Sequence, residues 1–200
     1  MNEIEKLIRS VAIIAGAITL FASTLSALLL SRQTKGRSSG KGARSRSGLG
    51  VLLMTIGFVA IGILLWRSIP LHIPIQMLFA LTAIGAVFYC SGIGLYLWGL
   101  GTMRSQFAVS NLFGAELYKE HKLVTHGPFA IVRHPLYLGV IFTAVGALLI
   151  FRTWAMVIFS PMSFVVISRA EREEKLLEQE FGEAWKVYVS KVPKWFPKLK

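Results

Sequence analysis

Residues 75–100, IQMLFALTAIGAVFYCSGIGLYLWGL, carry no charged side chain, and this stretch decides the fold class. At about 1.5 Å of rise per residue, a helix of this length can cross the roughly 30 Å hydrocarbon core of a bilayer. Two comparable blocks precede it, at about residues 10–30 and 49–66. The pattern predicts an all-α integral membrane protein.

Two shorter apolar runs follow, from Leu136 to Phe151 and from Trp154 to Ser168. Only Arg152 and Thr153 separate them, so the connection predicts a tight helical hairpin over residues 136–168. Both runs are somewhat short for the hydrocarbon core, and we expect them to tilt little or to be shielded by neighbouring helices. The sequence therefore predicts five transmembrane helices.

The composition agrees with a membrane protein, because 54% of the residues are hydrophobic and only 16% are charged. Mean hydropathy is +0.60. The net charge of +12, with no aspartate, would also suit nucleic-acid binding, but no nucleic-acid-reading motif accompanies it. The linker at residues 32–47 holds a group of basic residues: Arg32, Lys35, Arg37, Lys41, Arg44 and Arg46. We predict no nucleic-acid partner.

Basic loops between apolar helices lie on the cytoplasmic side of a membrane. With five spans, the N-terminus is then outside, while segment 101–135 and tail 169–200 are cytoplasmic. We expect residues 1–100 to form a three-helix part with the basic cytosolic linker. Residues 101–200 are expected to form a catalytic region, made of a cytosolic loop, the hairpin and a C-terminal amphipathic helix. In a prokaryote the location would be the cell membrane.

Two stretches carry residues suited to chemistry: residues 121–139, HKLVTHGPFAIVRHPLYLG, and residues 169–174, RAEREE. His121, His126 and His134 are spaced by five and eight residues, so they do not share a helix face, and we predict no metal. The hairpin should bring the start of the fourth span beside the end of the fifth. We therefore expect one cluster of six residues: Arg133, His134, Tyr137, Arg169, Glu173 and Glu174.

These stretches match HxLVTxGPFxxVRHPxYxG and RxxxEExxLxxxFGxxWxxYxxxVPxxFP over about residues 118–198. The pair resembles the isoprenylcysteine carboxyl methyltransferase family, especially its short prokaryotic members. The resemblance implies S-adenosylmethionine bound on the cytosolic side, with S-adenosylhomocysteine as product. It implies cofactor contacts at His121, Val124, His126, Gly127, His134, Tyr137, Leu138 and Glu174. It implies that Arg133 and Arg169 position the acceptor and take part in catalysis.

The residue types suit methyl transfer to a carboxylate, which is already a nucleophile and needs no general base. Arginine can hold a carboxylate with two hydrogen bonds and stays charged. Glu173 or Glu174 would receive the cofactor's amino group or balance the arginines. We expect a lipid-like or prenylated acceptor to enter from the bilayer between helices, among membrane lipids.

Other classes of function predict different features in the sequence. A phospholipid or amine N-methyltransferase would need a base to take a proton, such as Glu173 or a histidine. Membrane sterol reductases share a related C-terminal core but bind a nicotinamide cofactor. A transporter would carry ionisable residues inside its spans, and the first three contain essentially none. A structural protein without chemistry would not need the His/Arg/Glu cluster.

Two further features have simpler interpretations. Glycines in the third span, at Gly85, Gly92, Gly94 and Gly99, predict close helix packing. Trp195 and Phe196 near the C-terminus, set among lysines, predict an anchor at the lipid headgroups.

Overall fold

A computed structural model describes residues 3–33, 48–103 and 123–197. Most of the basic linker, residues 34–47, and part of the polar loop, residues 104–122, lie outside these ranges. The described chain is helical, apart from turns and one isolated bridge between Ser68 and Thr153. Its α-helices are α1 (Glu3–Gln33), α2 (Gly48–Leu64), α3 (Ile75–Met103), α4 (Pro135–Phe151), α5 (Trp154–Met162), α6 (Val165–Phe181) and α7 (Glu183–Lys191).

Of the residues that the structure describes, three helical stretches are long and apolar enough to cross a membrane: Glu3–Leu28, Ile75–Met103 and Trp154–Phe181, the last made of α5 and α6 with a short turn between them. The predicted second and fourth spans correspond to shorter apolar helices, Leu52–Leu64 and Pro135–Phe151. The prediction of an all-helical protein with membrane-spanning helices is confirmed, and the count of five spans stays a prediction.

Helices α3 and α4 form the tightest pair in the bundle, and glycines make their close approach possible. Gly85 and Gly92 are seven residues apart on α3, about two turns, and Gly139 and Gly146 have the same spacing on α4. A Cβ at Gly146 would lie 2.7 Å from the Gly85 carbonyl oxygen, and one at Gly139 would lie 2.8 Å from that of Gly92. The two backbones therefore touch, as predicted from Gly85 and Gly92, and Gly99 lies against Leu136, whereas Gly94 has no atom within 4 Å of its Cβ position.

Helix α1 joins this pair through buried polar contacts. The Tyr89 hydroxyl of α3 donates a hydrogen bond of 2.8 Å to the Ala12 carbonyl. Glu5 is buried and pairs with Arg152, while Arg9 Nη2 lies 3.1 Å from Glu5 Oε1. Arg152 Nη1 also donates to the Thr82 hydroxyl at 3.0 Å. Because buried charges are costly unless paired, this network ties α1 to α3 and α4.

These contacts define two ends of the bundle. We call the end with Glu5, Thr82 and Arg152 the Arg152 end, and the end with His134 and Glu174 the Glu174 end. Helices α1 and α3 begin at the Arg152 end, whereas α4 begins at the Glu174 end. The backbone of Ala155 hydrogen-bonds to Leu65 beyond α2, so α2 also finishes at the Arg152 end. Successive apolar helices thus alternate in direction.

The last apolar run differs from its predicted form. It was predicted as one helix from Trp154 to Ser168, but a turn at Ser163 and Phe164 separates α5 from α6. Pro161 lies just before this turn, has no backbone N–H to donate and crowds the preceding helical turn. The C-terminal amphipathic helix, expected within the tail at residues 169–200, consequently begins earlier, at Val165.

Candidate active site

The segment before α4 is fixed by a short 3₁₀ turn, Gly127–Ala130. Gly127 has a φ of +62°, a conformation that favours glycine, and a Cβ there would lie 2.7 Å from the Thr102 Oγ1 atom. Pro128 is fully buried after it. The turn therefore packs against the end of α3, and it places Arg133 and His134 directly before α4.

Glu174 of α6 is the centre of the charged group at this end. Its Oε1 atom lies 3.1 Å from Arg133 Nη2 and 3.0 Å from His134 Nε2, and its Oε2 atom lies 3.2 Å from Lys194 Nζ. The side chains of His134 and Arg133 are only 4% and 10% exposed. Such partly buried charge-assisted contacts hold the carboxylate and its neighbours in one geometry.

Tyr137, in the first turn of α4, connects His134 and Glu174 to two further charged residues. Its ring stacks on the ring of His134, with centroids 5.6 Å apart and planes inclined by 15°. The Glu173 carboxylate and the Arg169 charge both act on its hydroxyl. The structure therefore brings together all six residues that were expected to cluster because of the hairpin. Their individual roles stay predictions.

Arg133 has a buried donor that is not used within the described part of the chain. Its Nε atom is buried and has no hydrogen-bond acceptor there. Its Nη2 atom meets Glu174, and its Cζ atom lies 5.9 Å from the centroid of the Trp185 ring. A buried donor without a partner costs free energy, about 1–3 kcal/mol, which an incoming acceptor atom would recover.

The remaining predicted cofactor contacts, apart from His121, lie on the segment before α4 and in its first turn. His126 is exposed and lines a cavity of about 510 Å³ with Leu97, Trp98, Gly101 and Thr102. Val124 packs against Phe129 and Leu136, and Leu138 is buried. His121 lies outside the described residues. Among residues 3–33, 48–103 and 123–197, no group of three possible metal ligands is found.

The chain after α7 returns to the site, which the sequence interpretation missed. Lys194 pairs with Glu174, and the Trp195 ring lies 5.4 Å from that of His134. The Pro193 carbonyl accepts a hydrogen bond of 2.9 Å from the backbone N–H of Arg133. The contact of Trp195 with His134 gives this tryptophan a place beside the site as well as its predicted role at the headgroups.

Helix α7 supports the same segment. The Tyr188 hydroxyl donates to the Phe129 carbonyl at 2.7 Å, and burial raises the pKa of this phenol to about 12. The hydrogen bond therefore keeps its proton at any physiological pH. The FGxxWxxYxxxVP motif is the sequence feature that could have indicated α7 and the turn after it. The spacing of the motif does not show which residues they contact.

Comparison with known proteins agrees with the motifs. The phospholipid methyltransferase family model matches residues 80–184. A protein-S-isoprenylcysteine O-methyltransferase from Schizosaccharomyces pombe is 31% identical over 107 residues, covering 52% of this chain and 45% of the relative. Protein-S-isoprenylcysteine O-methyltransferase B from Arabidopsis thaliana is 31% identical over 124 residues, covering 54% of this chain and 60% of the relative.

A probable protein-S-isoprenylcysteine O-methyltransferase from Oryza sativa subsp. indica is 27% identical over 125 residues, covering 54% of this chain and 62% of the relative. The chain thus covers 45% to 62% of the lengths of these three relatives. The predicted resemblance to isoprenylcysteine carboxyl methyltransferases is confirmed, and membership of a short prokaryotic group stays a prediction. Because the family model matches more than half of its residues, the chain belongs to the phospholipid methyltransferase family.

Proposed function

We propose that this protein is a membrane methyltransferase that uses S-adenosylmethionine to methylate the carboxylate of a lipid-linked acceptor of the isoprenylcysteine type. The observation that carries the proposal is the buried Nε donor of Arg133, beside a guanidinium nitrogen already fixed by Glu174. An anionic acceptor would supply the missing hydrogen-bond partner. The names of the matched relatives support the same acceptor class.

The side chains at the Glu174 end suit the cofactor. When bound, S-adenosylmethionine supplies an electrophilic methyl group on a positively charged sulfur. Glu174 would receive the ammonium group, and the stacked rings of His134 and Tyr137 offer an aromatic surface for the adenosine. The family resemblance adds His121, Val124, His126, Gly127 and Leu138 to this set.

The protein's own contribution is to hold the acceptor and to exclude water. Arg133 would orient the acceptor carboxylate with two hydrogen bonds, and the fixed orientation lowers the entropic part of the barrier. Arg169, whose charge acts at Tyr137, would add a second positive charge beside the acceptor. Glu173, whose carboxylate acts on the same hydroxyl, would balance that charge. No side chain need remove a proton, because the acceptor is already ionised.

We further propose the five-span topology, with the hairpin at residues 136–168 and the Glu174 end in the cytoplasm. The alternating directions of α1 to α4 support it, and so does the basic linker at residues 32–47, which would join α1 to α2 on that side. The N-terminus would then lie outside. The division at residue 100 separates three supporting helices from the catalytic region, although Thr102 on α3 still contacts Gly127.

One observation favours a second candidate, N-methylation of a phospholipid amine. Glu173 is half-buried beside Tyr137, where it could take the proton that an amine acceptor must lose. The description of the matched family model, phospholipid methyltransferase, points the same way. The Arg133 Nε donor does not by itself exclude this candidate, because a phospholipid phosphate can also accept its hydrogen bond, whereas the names of the matched relatives favour the carboxylate.

An assay with radiolabelled S-adenosylmethionine and the protein in vesicles separates these candidates. N-acetyl-S-farnesylcysteine, its carboxamide and phosphatidylethanolamine would serve as acceptors. Carboxyl methylation predicts labelling of the acid but not of the carboxamide, and release of labelled methanol in base, because esters hydrolyse there. Base-stable label in phosphatidylethanolamine would support the amine alternative. Label in no acceptor would overturn the proposed acceptor class.

A further inference from the structure

Helix α7 turns one aromatic face toward the candidate active site. Trp185 and Tyr188, three residues apart, share a helix face and are 5% and 7% exposed. Their ring centroids lie 5.6 Å apart, and both pack with Val192 just after the helix. The face is therefore buried and ordered, although the candidate chemistry assigns neither aromatic residue a role.

This face and the turn after it hold the segment before α4 at three points. Tyr188 binds the Phe129 carbonyl, Pro193 binds the backbone N–H of Arg133, and Trp185 lies under the Arg133 guanidinium. The first two contacts fix the backbone. The third, at 5.9 Å from Cζ to the ring centroid, acts on the functional group itself.

An arginine side chain has several rotatable bonds and loses considerable freedom when its head is fixed. The ion pair with Glu174 is made through Nη2, and a single-point contact of this kind allows the guanidinium plane to rotate about it. A ring below the guanidinium plane removes this freedom, because a cation is attracted to the face of an indole at this distance. Together the two contacts set where the Nε–H and Nη2–H donors point.

We propose that Trp185 is a positioning residue for Arg133. Its indole ring holds the guanidinium in the orientation that meets the acceptor carboxylate, so this inference rests on the proposed function. Trp185 acts through Arg133 and touches neither cofactor nor acceptor. Its loss should therefore reduce turnover of the acceptor much more than affinity for S-adenosylhomocysteine.

The test compares Trp185→Leu, Trp185→Phe and a control, Trp154→Leu. Trp154 is 46% exposed at the Arg152 end, away from the site. We expect kcat for acceptor methylation to fall about tenfold in Trp185→Leu, in line with the strength of a partly buried cation–π contact. Trp185→Phe, which keeps an aromatic face, should recover most of the loss, and the control should match the wild type.

A second readout needs neither cofactor nor acceptor. In protein labelled with ¹⁵N-arginine, the Nε–H signal of Arg133 can be assigned by its loss in Arg133→Lys. The ring current of Trp185 should shift this proton, and the shift should be lost in Trp185→Leu and reduced in Trp185→Phe. An Arg133 signal that is unchanged in folded Trp185→Leu would overturn the inference. So would unchanged kcat, or a kcat that Trp185→Phe fails to recover.

The two readouts distinguish this inference from the proposed function. A wild-type protein that transfers no methyl group to any carboxylate would remove the proposed function, whatever the Arg133 signal does. If the wild type is active but replacing Trp185 changes neither the Arg133 signal nor kcat, only the positioning role is removed. Should Trp185→Leu fail to fold, Trp185→Phe still decides, because it keeps the packing and must show a smaller shift of the Arg133 signal.

Discussion

The Nε2 atom of His134 lies 3.0 Å from the Oε1 atom of Glu174, across 40 residues of chain. This contact joins the first residue before α4 to the middle of α6, so it links the two motifs that sequence comparison groups together. Arg133 and Lys194 meet the same carboxylate. Glu174 therefore holds together the start of α4, helix α6 and the segment after α7.

Replacing Glu174 with glutamine tests its predicted role in cofactor binding. Glu174→Gln keeps the shape of the side chain but removes its charge. We expect affinity for S-adenosylhomocysteine to fall about ten- to hundredfold, the usual value of hydrogen bonds to a charged group. Calorimetry measures this, with Glu178→Gln on the exposed part of α6 as the matched control. Equal affinities for the two variants would remove Glu174 from the cofactor site.

Replacing Arg133 with lysine tests the geometry of acceptor binding. The charge is kept, but the two-pronged hydrogen bonding of the guanidinium is lost. We expect methyl transfer to fall about a hundredfold, as small misplacements of a reactant can do, while affinity for S-adenosylhomocysteine changes little. Arg133→Ala should abolish transfer. Arg172→Lys, at an exposed position of α6, is the control. An Arg133→Lys enzyme with wild-type kcat would contradict the assigned role.

A methyl group at Gly92 tests the contact between α3 and α4. A Cβ there would lie 2.7 Å from the Gly139 carbonyl oxygen, so the helices must move apart. We expect Gly92→Ala to lower the free energy of unfolding by about 1–3 kcal/mol, the usual cost of overpacking. Thermal unfolding in detergent measures this. Gly94→Ala is the control, since nothing lies within 4 Å of its Cβ. Similar losses in both variants would argue against the close pairing.

The buried pair of Glu5 and Arg152 should stabilise the bundle at the end remote from the site. Glu5→Ala leaves Arg152 without its counter-charge, and we expect a loss of about 3–5 kcal/mol in the free energy of unfolding. Glu3→Ala, which removes only an exposed pair with Lys6, should cost less than about 1 kcal/mol. The folded Glu5→Ala protein should bind S-adenosylhomocysteine normally. Weakened binding by that protein would show that this network also shapes the site.

Several features could be predicted from the sequence because they depend on local patterns. The charge-free runs predicted the helices, and the two-residue connection at Arg152 and Thr153 predicted that Arg133 and Glu174 would meet. The pairing of Glu5 with Arg152 could not be predicted, because 147 residues separate the partners. The contacts of Lys194 depend on how the chain turns at Gly182, where φ is +50°, and on the packing of α7. No periodicity encodes that direction.

The most direct test of the central claim is calorimetric titration of the purified protein in detergent with S-adenosylhomocysteine, with NADPH as the comparison ligand. The proposed methyltransferase predicts saturable binding of S-adenosylhomocysteine at one site and no binding of NADPH. A protein that is folded by circular dichroism but binds neither S-adenosylhomocysteine nor S-adenosylmethionine would contradict the claim, and saturable NADPH binding would point to the reductase relatives.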